Sequence, residues 1–203
     1  MRCPFCHNFE LVVYNENFSE ALDEADVKNF LLLHRNRLTA VVITGGEPTL
    51  DPTLPEFCDY LKGLGYKVKL DTNGTNPDVV MDLLKKGLID YVAVDIKNSK
   101  NMYSKTIGLE TFDLSPVERL VNFLIHSDYE YEFRTTLINE FHTEESIKEM
   151  GIWLIGAKRL FLQHFVDSQF VPDKTLTEVE RKNALGFRRI LEDYIKEVKL
   201  RGY

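Results

Sequence analysis

The sequence predicts an α/β fold in which a parallel β-sheet carries helices on its outside. Two observations predict it. Short β-branched or apolar runs alternate with helical patterns along the chain, and the unusual polar residues fall directly after those runs. Such alternation calls for right-handed crossovers between parallel strands. Sheets and barrels of this kind gather their chemistry at the carboxyl ends of the strands. With 203 residues, the chain is long enough for one full core and too short for two ordinary domains, so 1–203 reads as a single domain.

Strands are predicted at 40–44, 67–71, 91–95, 131–137 and 159–163. Helices are predicted at 23–36, 54–63, 77–86, 116–126, 144–155 and 178–199. Ser115-Pro116-Val117-Glu118 and Thr177-Glu178-Val179-Glu180 have the spacing of capping boxes, the first with proline at the first helical position. Gly63, Gly65 and Gly87 fall where helices should end.

Composition narrows the function classes. Hydrophobic residues make up 44% and charged residues 28%, the balance of a soluble globular protein. A net charge of −7 argues against binding nucleic acid, because phosphate contacts need clustered Lys and Arg. Lys85-Lys86 and Arg181-Lys182 with Arg188-Arg189 read as solvated helix faces. No apolar run approaches a membrane span, and no basic-then-apolar leader opens the chain. Three cysteines do not make a disulfide framework, so a reducing cytoplasm is the expected compartment.

Cys3-Pro4-Phe5-Cys6-His7-Asn8 then reads as metal, cluster or redox chemistry. Half a zinc site would need further ligands, yet His7, His34, His126, His142, His164 and Cys58 show no paired metal spacing. Thr44-Gly45-Gly46-Glu47-Pro48 follows the first predicted strand. Its glycines let a ligand approach the backbone, and Glu47 can accept from an ammonium group. An isolated pair of glycines before proline would instead be a plain turn. Asp71-Thr72-Asn73-Gly74 follows the second strand and is also compatible with a simple turn. Asp95-Ile96-Lys97 puts an acid and a base on one face of the third strand's end, where they could form a rim ion pair. Arg134 lies within the fourth strand and needs an anion, from the protein or from a ligand. Gln163-His164 ends the fifth. Cys58 reads as a core thiol and Trp153 as helix packing, while His34 and His126 sit near helix ends.

Together, Cys-Pro-Phe-Cys-His-Asn, Thr-Gly-Gly-Glu-Pro-Thr-Leu, Asp-Thr-Asn-Gly and Val-Asp-Ile-Lys resemble the motifs of radical S-adenosylmethionine enzymes. The pattern is most similar to the glycyl-radical-activating family, in particular the activating proteins of anaerobic ribonucleoside-triphosphate reductases. It extends through Arg-Thr-Thr-Leu at 134–137 and Leu-Gln-His-Phe at 162–165. The resemblance implies a partial (β/α)6 TIM-like barrel. It implies a 4Fe–4S cluster held by three cysteines spaced C-x-x-x-C-x-x-C, with Cys3 and Cys6 as the second and third. It implies S-adenosylmethionine with Phe5 beside the adenine and with Gly45, Gly46 and Glu47 at the methionyl amino group. By the same resemblance, Asp71, Thr72 and Asp95 match a polar or cation subsite near its carboxylate, and Asn73 falls among the cofactor-binding residues. The resemblance further implies that Lys97 and Arg134 suit the carboxylate and ribose, and Gln163 or His164 the adenosine side. The implied reaction is reductive cleavage of S-adenosylmethionine to a 5′-deoxyadenosyl radical, which takes hydrogen from a glycine of a large glycyl-radical enzyme. A flavodoxin- or ferredoxin-type protein would supply the electron.

The family's first cysteine would lie two positions before Met1, and its first barrel strand would precede that cysteine. Residues 1–203 alone are therefore expected to hold a complete cluster poorly and to leave a sheet edge uncovered. Two explanations remain, an internal Met1 or a shortened relative. The internal Met1 is favoured because every later motif is intact. Small-molecule relatives, such as deazaguanine-forming ring contractases, carry longer insertions around the cluster loop than the ten or so residues after Cys6 resemble.

Overall fold

A computed structural model of the chain describes residues 1–9 and 22–203. The stretch following the cysteine loop, residues 10–21, lies outside the described residues, and with it the loop-length comparison made above. The described chain begins with Cys3–Cys6, then α1 (Glu24–His34) and β1 (Ala40–Ile43). A 3-10 turn, Pro48–Leu50, leads into α2 (Leu54–Gly63) and β2 (Lys67–Thr72). After α3 (Pro77–Lys85) and β3 (Tyr91–Asp95) come a one-turn helix α4 (Tyr103–Thr106), α5 (Ser115–Ile125) and β4 (Tyr131–Leu137). The chain continues through α6 (Glu144–Trp153), β5 (Leu160–His164), α7 (Arg181–Leu191) and β6 (Val198–Arg201).

The strands form one open sheet in the order β1-β2-β3-β4-β5-β6, every neighbouring pair parallel. Among the described residues the sheet is open, consistent with the partial (β/α)6 barrel that the resemblance implies. Side-chain alternation divides its two faces. In β2, Val68, Leu70 and Thr72 are buried, while Lys69 and Asp71 are only partly covered on the opposite face. Helices pack on the apolar face through residues at helical spacing, such as Leu54, Cys58 and Leu61 of α2 and Val117, Leu120, Val121 and Leu124 of α5. Cys58 is fully buried, and burial pushes its thiol up to about 11, as befits a core thiol. The ring nitrogens of His34 and His126 lie 2.8 Å from the Phe30 and Asn122 carbonyls in the last turns of α1 and α5.

The end of the chain departs from expectation. The predicted helix 178–199 is a shorter helix, Arg181–Leu191, followed by a sixth strand. Contacts distant in sequence break the helix. The Tyr194 carbonyl accepts from Gly156 N–H, Lys196 N–H donates to the Ala157 carbonyl, and the Glu197 carbonyl accepts from Leu160 N–H. These bonds deliver Val198–Arg201 to the free edge of β5. Both predicted capping boxes also fail. Leu114 occupies the cap position of α5, and the Ser115 amide is taken by Asp113 Oδ1 at 3.0 Å. The Thr177 amide and hydroxyl both donate to Glu140, and α7 begins later. The capping box is instead at Thr143 and Ser146, opening α6. Gly63 closes α2 as predicted, and Gly65 and Gly87 follow α2 and α3 with positive φ.

The edge strand β1 has β2 as its neighbour and leaves Val42 52% exposed. Leu22, Phe30, Leu33 and Leu38 are exposed in the same part of the chain. Among the described residues no strand pairs with the outer side of β1, in line with the open edge expected. No described helix is long and apolar enough to cross a membrane.

Candidate active site

The carboxyl ends of β1 to β5 and the cysteine turn surround a cavity of about 620 Å³. Its size suits a small organic ligand. Every residue to which the resemblance assigns a role lines it. Cys3, Phe5 and Cys6 form one wall, and Gly45, Gly46 and Glu47 a second. Asp71, Thr72 and Asn73 come from the end of β2, and Asp95 and Lys97 from β3. Arg134 projects from β4, with Gln163 and His164 at the end of β5.

The cysteine turn is fastened on three sides. Cys6 N–H donates to the Cys3 carbonyl at 3.1 Å, closing the turn on itself. Arg2 N–H donates to the Ile107 carbonyl at 3.3 Å, and Asp173 N–H to the Pro4 carbonyl at 3.1 Å. Gly108, at φ +72°, lies against this segment, and a Cβ there would come within 2.8 Å of the Arg2 carbonyl oxygen. Only glycine allows that approach. Cys3 and Phe5 are buried, and Cys6 partly so. Burial raises the Cys3 thiol's pKa against the opposing pull of Lys97. The Phe5 ring sits between Lys97, whose Nζ is 5.9 Å from the ring centre, and Phe141, whose ring centre is 6.2 Å away.

Glu47 ties two loops together. Its Oε1 accepts from Thr49 Oγ1 at 2.6 Å and Thr72 Oγ1 at 2.7 Å, while Oε2 accepts from Asn73 N–H at 2.7 Å. Asn8 Nδ2 donates to the Gly45 carbonyl at 3.1 Å, so the cysteine loop also holds the glycine turn. A Cβ at Gly45 would meet nothing within 4 Å, leaving that backbone open to a ligand.

The centre of the cavity floor is an ion-pair chain. Arg134 Nη1 lies 2.7 Å from Asp71 Oδ2, and Arg134 Nε and Nη2 lie 2.9 Å and 2.8 Å from Asp95 Oδ1. Lys97 Nζ is 3.1 Å from Asp95 Oδ2. Arg134 therefore finds its anion in the protein, and Asp95 and Lys97 do form the rim pair. Burial alone would raise the Asp95 pKa, but Lys97 and Arg134 outweigh it and hold the carboxyl below its ordinary range. Asp71 Oδ1 is buried without a hydrogen-bond donor; Lys69 Nζ stands 3.4 Å from it, outside bonding geometry. On the far side His164 Nε2 lies 2.9 Å from Glu178 Oε2, with the Tyr203 ring edge-on.

The arrangement fits S-adenosylmethionine. An open glycine backbone and a buried carboxylate oxygen without a donor suit an ammonium group, and Lys97 and Arg134, each already paired with Asp95 or Asp71, are the cations at hand for a ligand carboxylate. For the cluster, the cavity supplies the thiols of Cys3 and Cys6, two of the three that the resemblance calls for. Among the described residues no group of three or more His, Cys, Asp or Glu side chains is placed to hold a metal. Sequence reading placed Asn8 within the cysteine motif and His142 among the histidines without metal spacing, but gave neither a role. Its place at the end of the Cys3–Asn8 motif is the signal that could have marked Asn8.

A family model, the radical SAM superfamily, matches residues 1–150. A Methanocaldococcus jannaschii protein that carries the provisional name of a glycyl-radical enzyme activating enzyme is 29% identical over 212 residues, spanning 99% of this chain and 84% of that protein. A domain of pyruvate-formate lyase-activating enzyme from Bacteroides vulgatus superposes with a TM-score of 0.63 at 17% identity, covering 81% of this chain and all of that one. Streptococcus suis SuiB bound to S-adenosylmethionine superposes at 0.75 and 15% identity over 99% of this chain, which spans 47% of SuiB. At those identities the two solved structures speak to the fold.

Proposed function

The chain belongs to the radical SAM superfamily, and on that premise we propose that it is an activase that installs a glycyl radical on a large partner enzyme, of the anaerobic ribonucleoside-triphosphate reductase kind. The superfamily uses a 4Fe–4S cluster and S-adenosylmethionine, so the chain is a radical SAM enzyme of oxidoreductase type. The observation that supports a site here is the convergence of five strand ends and the cysteine turn on one cavity. The activase reading draws on the relative matched along nearly the whole chain.

Bound together, the two cofactors would supply reductive cleavage of a carbon–sulfur bond and a 5′-deoxyadenosyl radical. Cys3 and Cys6 would hold the cluster together with one further thiolate. The chain's other residues bind and orient. Lys97 and Arg134 meet the methionyl carboxylate, their own charges moderated by Asp95 and Asp71. The Gly45–Gly46 backbone and the free capacity of Glu47 Oε2 receive the amino group. Phe5, held between Lys97 and Phe141, gives the adenine an apolar wall. A sheet that is open among the described residues is compatible with a polypeptide loop reaching the cavity.

The test extends the chain so that a cysteine stands four positions before Cys3 and reconstitutes it anaerobically with iron and sulfide. Reduced and mixed with S-adenosylmethionine and a large glycyl-radical reductase, it is expected to yield 5′-deoxyadenosine and a glycyl-radical signal by electron paramagnetic resonance. 5′-Deoxyadenosine without a protein radical would overturn the partner and point to a small-molecule substrate. A cluster that never forms, with no cleavage, would reduce the chain to a binding module.

A further inference from the structure

The turn after β4 carries a histidine that no part of the cavity exposes. His142 is 3% exposed, and both ring nitrogens are bonded to main chain. Its Nε2 lies 3.1 Å from the Lys97 carbonyl oxygen, an acceptor, so Nε2 carries the hydrogen. Its Nδ1 lies 3.0 Å from Ile138 N and 3.1 Å from Ile138 O. That carbonyl already accepts from the amides of Phe141 and His142, whereas the Ile138 amide needs an acceptor. The ring is therefore neutral, Nδ1 accepting from Ile138 and Nε2–H donating to Lys97. Burial pushes its pKa down and favours the same form.

The neighbouring bonds point the same way. The Phe141 carbonyl accepts from Asn98 Nδ2 at 2.8 Å, and Asn98 Nδ2 also reaches Thr106 Oγ1 at 3.0 Å. Ile96 is held by the Arg134 carbonyl and by the Thr135 hydroxyl. The strand end carrying Lys97 is thus stitched residue by residue to β4 and the segment after it, and His142 makes the stitch at Lys97 itself. The Phe141 ring, one residue before, presses on Phe5 of the cysteine turn.

We propose that His142 is a positioning residue: its Nε2–H bond to the Lys97 carbonyl fixes the backbone from which the Lys97 ammonium reaches into the cavity, and so sets affinity for the carboxylate of S-adenosylmethionine. The inference rests on the reading that Lys97 meets that carboxylate.

Glutamine and asparagine separate the two bonds. The amide of H142Q can reach where Nε2 sits and donate to Lys97; the amide oxygen of H142N stands where Nδ1 sits, accepts from Ile138 and falls short of Lys97. Affinity for S-adenosylmethionine is measured by titration calorimetry on the purified chain without iron, beside a thermal melt. H142N is expected to bind about tenfold more weakly and H142Q within about twofold of the parent, because a shifted anchor misplaces the cation. If His142 serves stability alone, affinity follows the melting midpoint rather than the Lys97 bond, and the proposal falls. K97M is the control. Unchanged affinity in K97M removes both the site reading and this inference; weakened K97M beside an unchanged H142N removes the inference alone. Should H142N not fold, nitrogen-15 resonance of the His142 ring in the parent chain still decides. The ring signals must show the Nε2–H tautomer and shift as S-adenosylmethionine saturates. A ring indifferent to the ligand overturns the proposal.

Discussion

Arg134 is the side chain on which the others at the cavity floor depend. Its guanidinium lies between Asp71 and Asp95, and nothing else in the described site pairs with Asp71 Oδ2. Taking it away leaves two partly buried carboxylates, Asp95 with Lys97 alone and Asp71 with only Lys69 at 3.4 Å. R134M is therefore expected to destabilise the fold by about 3–5 kcal/mol, read by chemical denaturation. A loss under about 1 kcal/mol would mean that water already screens the pair. D71N in the R134M background should recover part of the loss, because it removes one of the repelling charges. The sequence announced that Arg134 needed an anion and left its source open. Register places Asp95 opposite Arg134, while Asp71 pairs with Ala93 one strand further and is reached by the length of the Arg134 side chain. His142 was not legible at all. Its role depends on a turn that returns its ring to the Lys97 backbone, and neither spacing nor residue type encodes that return.

Among the elements, most strands and helices could be read because they alternate in period and are bounded by glycine or proline. β6 could not. Val-Lys-Leu-Arg is too short to break the helical pattern before it, and the free edge of β5 makes the decision. The consequence can be measured at Gly151. A Cβ there would lie 2.5 Å from Cδ2 of Tyr194, the residue whose carbonyl helps to turn the chain into β6. G151A is expected to cost about 1–3 kcal/mol, with less loss in a Y194A background. Equal losses in both backgrounds would show that the contact does not govern the turn.

Asp90 links α2, β2 and the start of β3. Its carboxylate accepts from Lys62 and Lys67 at 2.7 Å and 2.8 Å and from Val68 N–H at 2.8 Å. Burial alone would raise its pKa, but these donors prevail and hold it at about 2, below the ordinary 3.8. Because the folded value is depressed, the stabilisation is full above the unfolded value and disappears as pH falls through the folded one. After discounting for the exposed Lys67, it amounts to about 1–2 kcal/mol. Unfolding free energy should accordingly drop between about pH 4 and pH 2 by more in the parent than in D90N. Parallel curves for the two proteins would refute this assignment.

At the scale of the whole molecule, an open parallel sheet brings residues distant in sequence to one end, and the cysteine turn is fastened across that end by Ile107 and Asp173. This convergence was legible because parallel sheets place their chemistry at the carboxyl ends of strands. The helices behind the sheet and the polar chain on its floor serve to hold those ends in register. A crystal structure of the chain with S-adenosylmethionine measures the central claim most directly. The account predicts the methionyl carboxylate within hydrogen-bond reach of Lys97 and Arg134, the amino group against Gly45–Glu47 and the adenine along Phe5. A ligand seated elsewhere, or one that leaves Lys97, Arg134 and Glu47 without contact, would contradict it.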